Sequence, residues 1–249
     1  MKVLKVKVLK NAPLSLRTYV MELSAPDIAH SVKPGQFVML KVSHTNDPIG
    51  RRAFAVGDVR GDNLFIFYDV VGRGTYLLSS LPEGSHIELF GPLGKRTFQL
   101  SGDKHLLIGG GIGIAGLTLL GKELRKEGKK VFFVYGGRGK EHLGLKSWLK
   151  EENFEHVIFT EDGSEGRKGL VTEAVKEFDR SWTVSACGPK GMLKALKNLV
   201  EPSRLYLSLE SRMACGWGVC LGCVVKGTQG NYLRVCYEGP VFRADEVCL

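Results

Sequence analysis

The 249-residue chain has few cysteines and no long apolar run, and each shortage excludes a class of protein. Six cysteines are too few for a disulfide scaffold. The longest stretch without charge, Leu106 to Gly121, is too short and too rich in glycine to cross a membrane. The chain begins with an alternating, strand-like pattern instead of the apolar core of a secretory signal. We therefore expect a cytoplasmic protein.

The chain also lacks clustered charge and recognisable hydrolytic residues. Its net charge is +9, but lysines and arginines are interleaved with acids, as in residues 121–130. Such interleaving indicates a solvated helix face instead of a surface that tracks phosphates. The six histidines form no spaced pair of ligands, and no Ser/His/Asp arrangement is evident. Neither nucleic-acid binding nor hydrolysis is expected.

Three segments differ in their periodicity, and together they predict a multi-domain β plus α/β fold. Residues 1–100 alternate short β-rich runs with turn signals, which predicts a small antiparallel β-barrel. Residues 101–209 alternate strand-like with helix-like runs, which predicts a parallel α/β sheet with crossover helices. Residues 210–249 carry most of the cysteines, and we expect them to form a small C-terminal module.

The pattern also places individual elements. The strands expected in the first segment span residues 1–9, 36–42, 52–56, 63–71 and 86–90. Those expected in the second segment span residues 105–108, 130–135, 157–160, 182–186 and 204–209. The expected helices span residues 114–126, 142–151, 171–177 and 191–200.

The strongest signal is a run of four cysteines with the spacing C-x4-C-x2-C-x12-C. In plant-type [2Fe–2S] centres, a loop of this spacing turns three thiolates toward one point, and a fourth comes from a nearby strand. Gly216, Gly218 and Gly222 favour this interpretation, because residues without a Cβ let backbone amides approach the cluster sulfurs. A zinc site and disulfides are alternatives, although only one C-x2-C knuckle is present. The predicted ligands are Cys215, Cys220, Cys223 and Cys236.

A glycine-rich turn follows the first predicted strand of the second segment. Gly111-x-Gly113-x-x-Gly116 fits a dinucleotide fingerprint, in which backbone amides at a helix start hold a pyrophosphate. The next strand ends at Arg138, where an NAD-binding Rossmann domain would have an acid, so the choice between NAD and NADP stays open. A turn that serves only strand–helix packing is the alternative. The residues expected to bind the nucleotide are Gly109, Gly110, Gly111 and Gly113.

An iron–sulfur cluster and a nicotinamide together require a third group. Nicotinamide exchanges two electrons as a hydride, whereas a cluster exchanges one. A carrier able to do both must lie between them, and a flavin is the obvious candidate. The first segment must then hold this flavin.

This order of barrel, nucleotide domain and [2Fe–2S] module resembles the ferredoxin reductase superfamily. Within it, nearly the whole chain is similar to the electron-transfer subunits of class 1B dihydroorotate dehydrogenases. The resemblance implies FAD in residues 1–100, NAD in 101–209 and the cluster in 210–249. The motifs that carry the resemblance are residues 71–76, 91–94, 109–113, 160–169, 187–192, 210–223 and 235–242.

The resemblance also implies a partner, a catalytic subunit that carries FMN and oxidises dihydroorotate to orotate in pyrimidine biosynthesis. Electrons would pass through the cluster to FAD and then to NAD, and this chain would be the non-catalytic subunit. Two such chains and two catalytic subunits would form a heterotetramer. Cys187 would lie near the nicotinamide, although a lone cysteine is about as often a small buried hydrophobe.

The flavin side departs from the family pattern at two places. Residues 52–55 read Arg-Ala-Phe-Ala where the family usually has Arg-Pro-x-Ser, so a hydroxyl is lost at Ala55 while Arg52 keeps a charge for the FAD pyrophosphate. Asp69 stands where the family usually has arginine, which puts an anion near a phosphate-bearing ligand. One lost hydrogen bond to a charged group costs about 1.5–3 kcal/mol. The residues expected at the FAD site are Arg52, Ala53, Phe54, Ala55, Phe67, Tyr68, Asp69, Gly72, Gly74 and Thr75.

Because of these departures, two other hypotheses stand beside the dihydroorotate-linked subunit. One is an electron-transfer or reductase subunit of a different dehydrogenase, linked to sulfide or ferredoxin. The other is a non-enzymatic binding module that keeps the fold and a metal site but has lost the flavin.

Overall fold

Two seven-stranded sheets, one antiparallel and one mostly parallel, organise the chain. The computed structural model describes residues 1–43, 45 and 47–249. Neighbouring strands of the first sheet are antiparallel throughout. The sheet curls, so that the edge strand at residues 52–55 contacts the strand at residues 63–69. Its strands, from one edge to the other, follow the order β4-β3-β7-β1-β2-β6-β5. They are β1 (Lys2–Pro13), β2 (Thr18–Ser24), β3 (Phe37–Lys41), β4 (Arg52–Ala55), β5 (Asp58–Arg60), β6 (Asn63–Asp69) and β7 (His86–Leu93), with the short helices α1 (Pro26–Ala29) and α2 (Arg73–Ser79).

Strand β3 connects the curled sheet to the rest of the molecule, because both of its faces are buried. Successive side chains of a strand point to opposite faces. Val38 and Leu40 therefore enter the core of the curled sheet. Phe37 and Met39 point the other way, into a core shared with the second sheet and the cysteine segment. The first segment thus shares its packing with both of the others.

The second sheet has the order β11-β10-β9-β8-β12-β13-β16, and only its last strand is antiparallel to its neighbour. Its parallel strands are β8 (Lys104–Gly110), β9 (Lys130–Gly137), β10 (Glu155–Thr160), β11 (Arg167–Lys168), β12 (Trp182–Cys187) and β13 (Leu205–Ser208). The helices are α3 (Ala115–Lys126), α4 (Lys146–Glu151) and α5 (Lys190–Leu199), with 3₁₀ turns at Gly111–Ile114, Lys140–His142, Val171–Glu177 and Pro202–Arg204. After β13, the chain forms a hairpin from β14 (Val224–Lys226) and β15 (Tyr232–Arg234) and ends on β16 (Val241–Arg243).

This architecture confirms the predicted fold class, with an antiparallel sheet, a parallel α/β sheet and a C-terminal cysteine segment. The predicted barrel is a curled sheet. The domain limits at residues 100 and 209 stay a prediction, and β16, from the third segment, pairs with β13, from the second. Among the described residues, each helix is too short or too polar to cross a lipid bilayer.

Two predicted helices differ from the structure, and β2 has no counterpart among the predicted strands. Strand β2 was not predicted, because Val20 and Met21 are buried on opposite faces and interrupt the apolar–polar alternation. The helix expected over residues 142–151 begins only at Lys146. Before it, a Cβ on Gly144 would lie 2.1 Å from Thr18 Oγ1, so the backbone packs directly against the first sheet. The helix expected over residues 171–177 is a 3₁₀ helix.

A buried network of ion pairs fixes the two sheets against each other. The Asp58 carboxylate on β5 is fully buried and lies 2.8 Å from Lys122 Nζ on α3 and 2.9 Å from Arg60 Nε. Glu152, after α4, pairs with both cations and with Arg125. Close by, the buried Thr118 hydroxyl donates to the Gly57 carbonyl at 2.6 Å. An isolated charge is costly inside a protein, so these partners hold the interface in one arrangement.

We expect Asp58→Asn to lower the free energy of unfolding by about 3 kcal/mol, since it leaves two cations without their buried anion. The loss of stability is no larger than this because Glu152 still pairs with both cations, Arg60 and Lys122. Urea unfolding measures it. The control is Asp103→Asn, whose side chain is 96% exposed and pairs with Lys129 at 3.5 Å, and which should change stability by less than about 1 kcal/mol. Equal stability of the two variants would contradict a clamping role for Asp58.

Candidate functional site

Three of the four predicted ligand cysteines lie on one loop between β13 and β14, and the fourth follows β15. Cys223 and Cys236 are buried, Cys215 is partly buried and Cys220 is exposed. Backbone N–H groups approach three of the sulfurs: those of Trp217, Gly222 and Cys236 lie 3.4–3.5 Å from the Sγ atoms of Cys215, Cys220 and Cys223, respectively. The loop therefore already supplies the amide donors that stabilise thiolate sulfur.

The cysteine loop depends on two glycines for its path. Gly216 and Gly218 have φ angles of +78° and +93°, which L side chains rarely adopt. A Cβ on Gly216 would also lie 2.1 Å from Met39 Sδ of β3. The loop is thus packed directly on the strand that joins the curled sheet to the rest of the molecule.

The cysteine thiols shift one another's pKa values, as expected for side chains that share one metal centre. Burial opposes ionisation of Cys215, but backbone N–H groups of Cys220 and Trp217 outweigh it and lower its pKa to about 6. Burial raises the pKa of Cys236 to about 12, with further contributions from the Cys223 thiol and the charge of Cys215. Crowded thiolates repel one another, and bound metal removes this penalty.

The four-cysteine donor set suits a two-iron cluster, because soft thiolates are the usual ligands of iron–sulfur centres. Within the described part of the chain, no group of three or more His, Cys, Asp or Glu side chains is arranged to hold a single metal ion. A [2Fe–2S] cluster divides its four sulfur ligands between two irons, whereas a structural zinc ion gathers all four around one centre.

A cavity of about 580 Å³ lies where the three segments of the chain meet. Gly116 of α3 and Cys187 at the end of β12 line it from the second segment, and Glu210 and Met213 line it from the third. Gly72 and Gly74 are not part of its wall. The flavin-side residues that line it are Arg52, Ala53, Phe54, Ala55, Phe67, Tyr68, Asp69 and Thr75.

The walls of this first cavity suit a flat aromatic ligand that carries phosphate. The rings of Phe54 and Tyr68 meet edge to face at 5.8 Å, and the Tyr68 hydroxyl donates to Asn11 Oδ1 at 2.8 Å. A Cβ on Gly74 would lie 2.9 Å from Arg52 Nε, so the glycine leaves room for the guanidinium. Arg52 Nη1 donates to the Ile49 carbonyl at 3.1 Å, and the hydrogen bonds of this side chain within the described residues all go to backbone carbonyls. Its charge is therefore available to a ligand phosphate.

Two predicted residues have roles of their own in this region. The Thr75 hydroxyl accepts from the backbone N–H groups of Val71 and Gly72 at 2.9 and 3.2 Å, so it fixes the loop before α2. Ala55 has no hydroxyl and faces Gly116 of α3, where an added Cβ would lie at an ordinary contact distance of 3.8 Å from the Ala55 Cβ.

Asp69 is not a free anion at the first cavity, because two partners remote from it in sequence bind its carboxylate. Its carboxylate lies 2.9 Å from Arg17 Nε and accepts a hydrogen bond of 2.7 Å from the Thr18 hydroxyl. Only 9% of the Asp69 side chain is exposed. The negative charge at position 69 is therefore neutralised within the protein.

Cys187 and Glu210 face each other in the first cavity, with Cys187 Sγ 3.9 Å from Glu210 Oε1. Burial, followed by the charge of Glu210, raises the pKa of the Cys187 thiol well above its ordinary value. Glu210 is exposed to the open cavity, yet the protein packed around its carboxyl raises its pKa by desolvation. Cys187 is therefore a neutral thiol in the flavin-side cavity.

A second cavity, of about 520 Å³, opens at the carboxyl ends of β8, β9 and β10. Gly110 and Gly111 line it, whereas Gly109 and Gly113 pack inside: a Cβ on either would lie 2.5–2.6 Å from Ile114 or the Cys187 carbonyl. Around Gly111 a Cβ would meet nothing within 4 Å, so its backbone is open to a ligand. The ionisable side chains that line this cavity are Arg17, Arg138, His142 and Glu161.

The second cavity suits a dinucleotide, because a glycine turn at the carboxyl edge of a parallel sheet is a common pyrophosphate site. Arg17 and Glu210 were missed as site residues. Arg17 lies in a turn of the first segment, remote in sequence from the glycine turn, and no local pattern marks it. Glu210 begins the cysteine motif, and that position was the one available signal.

Comparisons with known proteins agree with this arrangement. Residues 210–248 match the family model described as the iron–sulfur cluster binding domain of dihydroorotate dehydrogenase B. The chain is 56% identical to the dihydroorotate dehydrogenase B (NAD(+)) electron transfer subunit homolog of Aquifex aeolicus, over 99% of this chain and 98% of that one. It is 37% identical to the dihydroorotate dehydrogenase B (NAD(+)) electron transfer subunit of Bacillus velezensis, over the full length of both.

Solved structures share the fold. An NADH-dependent reduced ferredoxin-NADP oxidoreductase is 29% identical with a TM-score of 0.84, and the match covers 98% of this chain and 89% of that chain. A ferredoxin NADP⁺ reductase from Neisseria gonorrhoeae, solved with bound FAD and NADP, is 19% identical with a TM-score of 0.66, over 80% and 90% of the two chains. The second likeness supports the fold alone.

We expect Cys220→Ser to lose most of its iron and acid-labile sulfide, because a hydroxyl is a poor substitute for a thiolate ligand of iron. Chemical iron and sulfide assays and the visible spectrum measure this loss. Cys248→Ser is the control, since Cys248 is exposed and lies outside the cysteine loop. Full iron content in Cys220→Ser would remove Cys220 from the ligand set.

We expect Cys187 to resist alkylation in the native protein at pH 8, because its raised pKa keeps the thiol protonated and the side chain is buried. Mass spectrometry after iodoacetamide treatment should find the reagent on the exposed Cys248 and not on Cys187. Both cysteines should react after unfolding. Equal modification of the two in the native state would show that Cys187 is a reactive thiolate.

Proposed function

Because the chain belongs to the family of electron transfer subunits of dihydroorotate dehydrogenase B, we propose that it carries electrons between NAD and a partner dehydrogenase subunit. One observation carries the proposal: the first cavity is walled by all three segments of the chain, with Arg52, Cys187 and Met213 as one representative of each. A group bound there touches both the nucleotide-binding sheet and the cysteine segment.

We assign the lining residues of the two cavities and the four cysteines to three binding sites. Arg52 and the Phe54–Tyr68 wall hold FAD in the first cavity, Gly110 and Gly111 hold NAD in the second, and the four cysteines hold a [2Fe–2S] cluster. When bound, FAD supplies the exchange between two-electron and one-electron chemistry. The contact of Gly216 with Met39 packs the cysteine loop directly against the first sheet.

The partner in this proposal is a catalytic subunit that carries FMN and oxidises dihydroorotate to orotate. Large apolar side chains surround the solvent-facing part of the cysteine loop, where Trp217, Val219 and Leu221 are 49%, 68% and 59% exposed. Exposed apolar patches of this kind are typical of protein interfaces. We further propose an assembly of two such chains with two catalytic subunits. A cytoplasmic location belongs to the same proposal, since thiols stay reduced there.

A second candidate function, a ferredoxin-linked reductase subunit, is favoured by one comparison. The NADH-dependent reduced ferredoxin-NADP oxidoreductase matches nearly the whole chain at 29% identity. The two candidates share all three sites and differ only in the protein that meets the exposed face of the cysteine loop. The choice of electron donor therefore separates them.

We expect the anaerobically purified chain to contain about two irons, two acid-labile sulfides and one FAD, and its visible spectrum to bleach with NADH. With the catalytic subunit added, dihydroorotate should replace NADH as the reductant, and the native mass of the complex should correspond to two plus two chains. The measurements are metal, sulfide and flavin assays, absorbance and native mass spectrometry.

Three results would redirect the proposal. A chain that contains the cluster but takes up no FAD on reconstitution would support the flavin-less binding module. Bleaching by NADH without any response to dihydroorotate and the catalytic subunit would contradict the dihydroorotate-linked role. Bleaching by reduced ferredoxin in that case would favour the second candidate.

A further inference from the structure

Arg17 belongs to the first sheet but lines the cavity of the second. It lies in the turn between β1 and β2, and its side chain forms part of the wall that also includes Gly110 and Gly111. Its neighbour Thr18 packs against Gly144, which lies just before α4 of the nucleotide-binding sheet. The turn is therefore fixed against the second sheet, and the cavity is closed on one side by the first.

Asp69 holds the guanidinium of Arg17 in this place. Asp69 Oδ2 lies 2.9 Å from Arg17 Nε, and Asp69 Oδ1 accepts from the Thr18 hydroxyl at 2.7 Å. The backbone N–H of Val70 donates to the Arg17 carbonyl at 2.8 Å. With 9% of the Asp69 side chain exposed, the carboxylate depends on this cation for its stability. Backbone and side chain of Arg17 are thus both anchored to the end of β6.

The Arg17 guanidinium has N–H donors that no carboxylate of the described residues uses. A guanidinium carries five N–H donors. Within the described residues Arg17 forms one ion pair, with Nε 2.9 Å from Asp69 Oδ2, but the buried Nε–H makes no hydrogen bond. One third of its side chain is exposed. The guanidinium therefore combines a fixed position with unused hydrogen-bonding capacity at the cavity wall, which is what recognition of an anion requires.

We propose that Arg17 binds a phosphate of NAD(H) and that Asp69 is the residue that positions it. The inference rests on the proposed function and adds a contact from the first sheet to the dinucleotide. Phosphate is the matching anion, because the Gly110–Gly111 turn in the same wall is suited to a pyrophosphate. Arg17 does not line the first cavity, where Arg52 faces the flavin side.

This assignment explains the acid at position 69. An arginine at position 69 would repel Arg17. The aspartate instead pairs with the Arg17 Nε, while the rest of the guanidinium faces the second cavity. The dinucleotide then contacts both sheets, so its affinity depends on the interface between them as well as on the glycine turn.

The test is equilibrium titration of the FAD- and cluster-loaded chain with NADH, together with flavin and iron assays. Arg17→Ala should weaken NADH binding by about 10- to 100-fold, the effect of losing a hydrogen bond to a charged group. It should also reduce the dependence of NADH affinity on salt, since one ionic contact is lost. FAD and iron contents should not change. Arg17→Lys, which keeps the charge but not the planar fork, should lie between wild type and alanine.

Asp69→Asn should weaken NADH binding in the same direction by a smaller factor and raise KM for NADH, and the flavin assay is repeated for this variant because Asp69 also lines the first cavity. Because Asp69 acts through Arg17, the double variant should bind NADH no more weakly than Arg17→Ala alone. Arg180→Ala is the matched control: its side chain is 85% exposed and pairs only with Glu201 among the described residues.

Each remaining outcome overturns the inference. Unchanged NADH affinity in Arg17→Ala would remove Arg17 from the site while the proposed function stands. Loss of FAD instead of NADH would assign the pair to the flavin. Additive effects in the double variant would remove the positioning role of Asp69. If wild type itself does not bind NADH, the proposed function fails and this inference fails with it.

Discussion

Every site in this protein depends on a fixed angle between the curled antiparallel sheet and the parallel sheet. Neither sheet encloses the first cavity alone, because β4 and β6 supply one wall and the ends of α3 and β12 supply another. The buried Asp58 network and the Thr118 hydrogen bond hold the sheets in this relation. A small rotation about the interface would separate the flavin side from Cys187 and move Arg17 out of the second cavity. The interface is therefore part of the functional site.

Two aspartates on the neighbouring strands β5 and β6 each form an ion pair with a cation, but the two ion pairs have different roles. Asp58 on β5 is buried and binds cations that reach it from both sheets, so its role is to join them. Asp69 at the end of β6 binds one cation from its own sheet and holds it toward a ligand cavity. In both cases a carboxylate removed from water requires a charged partner, and that requirement fixes the partner's position.

The sequence predicts those features that are set by residues close to one another in the chain. The cysteine spacing, the glycine turn and the change of period near residue 100 are local, and the fold class that follows from them is confirmed. The pairing of Asp69 with Arg17 joins the end of a strand to a turn remote from it in sequence, and no spacing rule connects them. Predictions from local sequence are wrong where tertiary contacts decide the structure. The contact of Gly144 with Thr18 shortens the helix expected over residues 142–151. Burial on both faces removes the alternation by which β2 could be predicted.

The last strand of the chain has a consequence for the order of assembly. Strand β16 covers the β13 edge of the parallel sheet, and Cys236, the fourth predicted ligand, lies shortly before it. During synthesis on a ribosome, both emerge after every other element described. Until then β13 presents an unpaired edge, which is prone to pairing with other chains. Covering of this edge and completion of the ligand set therefore fall at the same late moment.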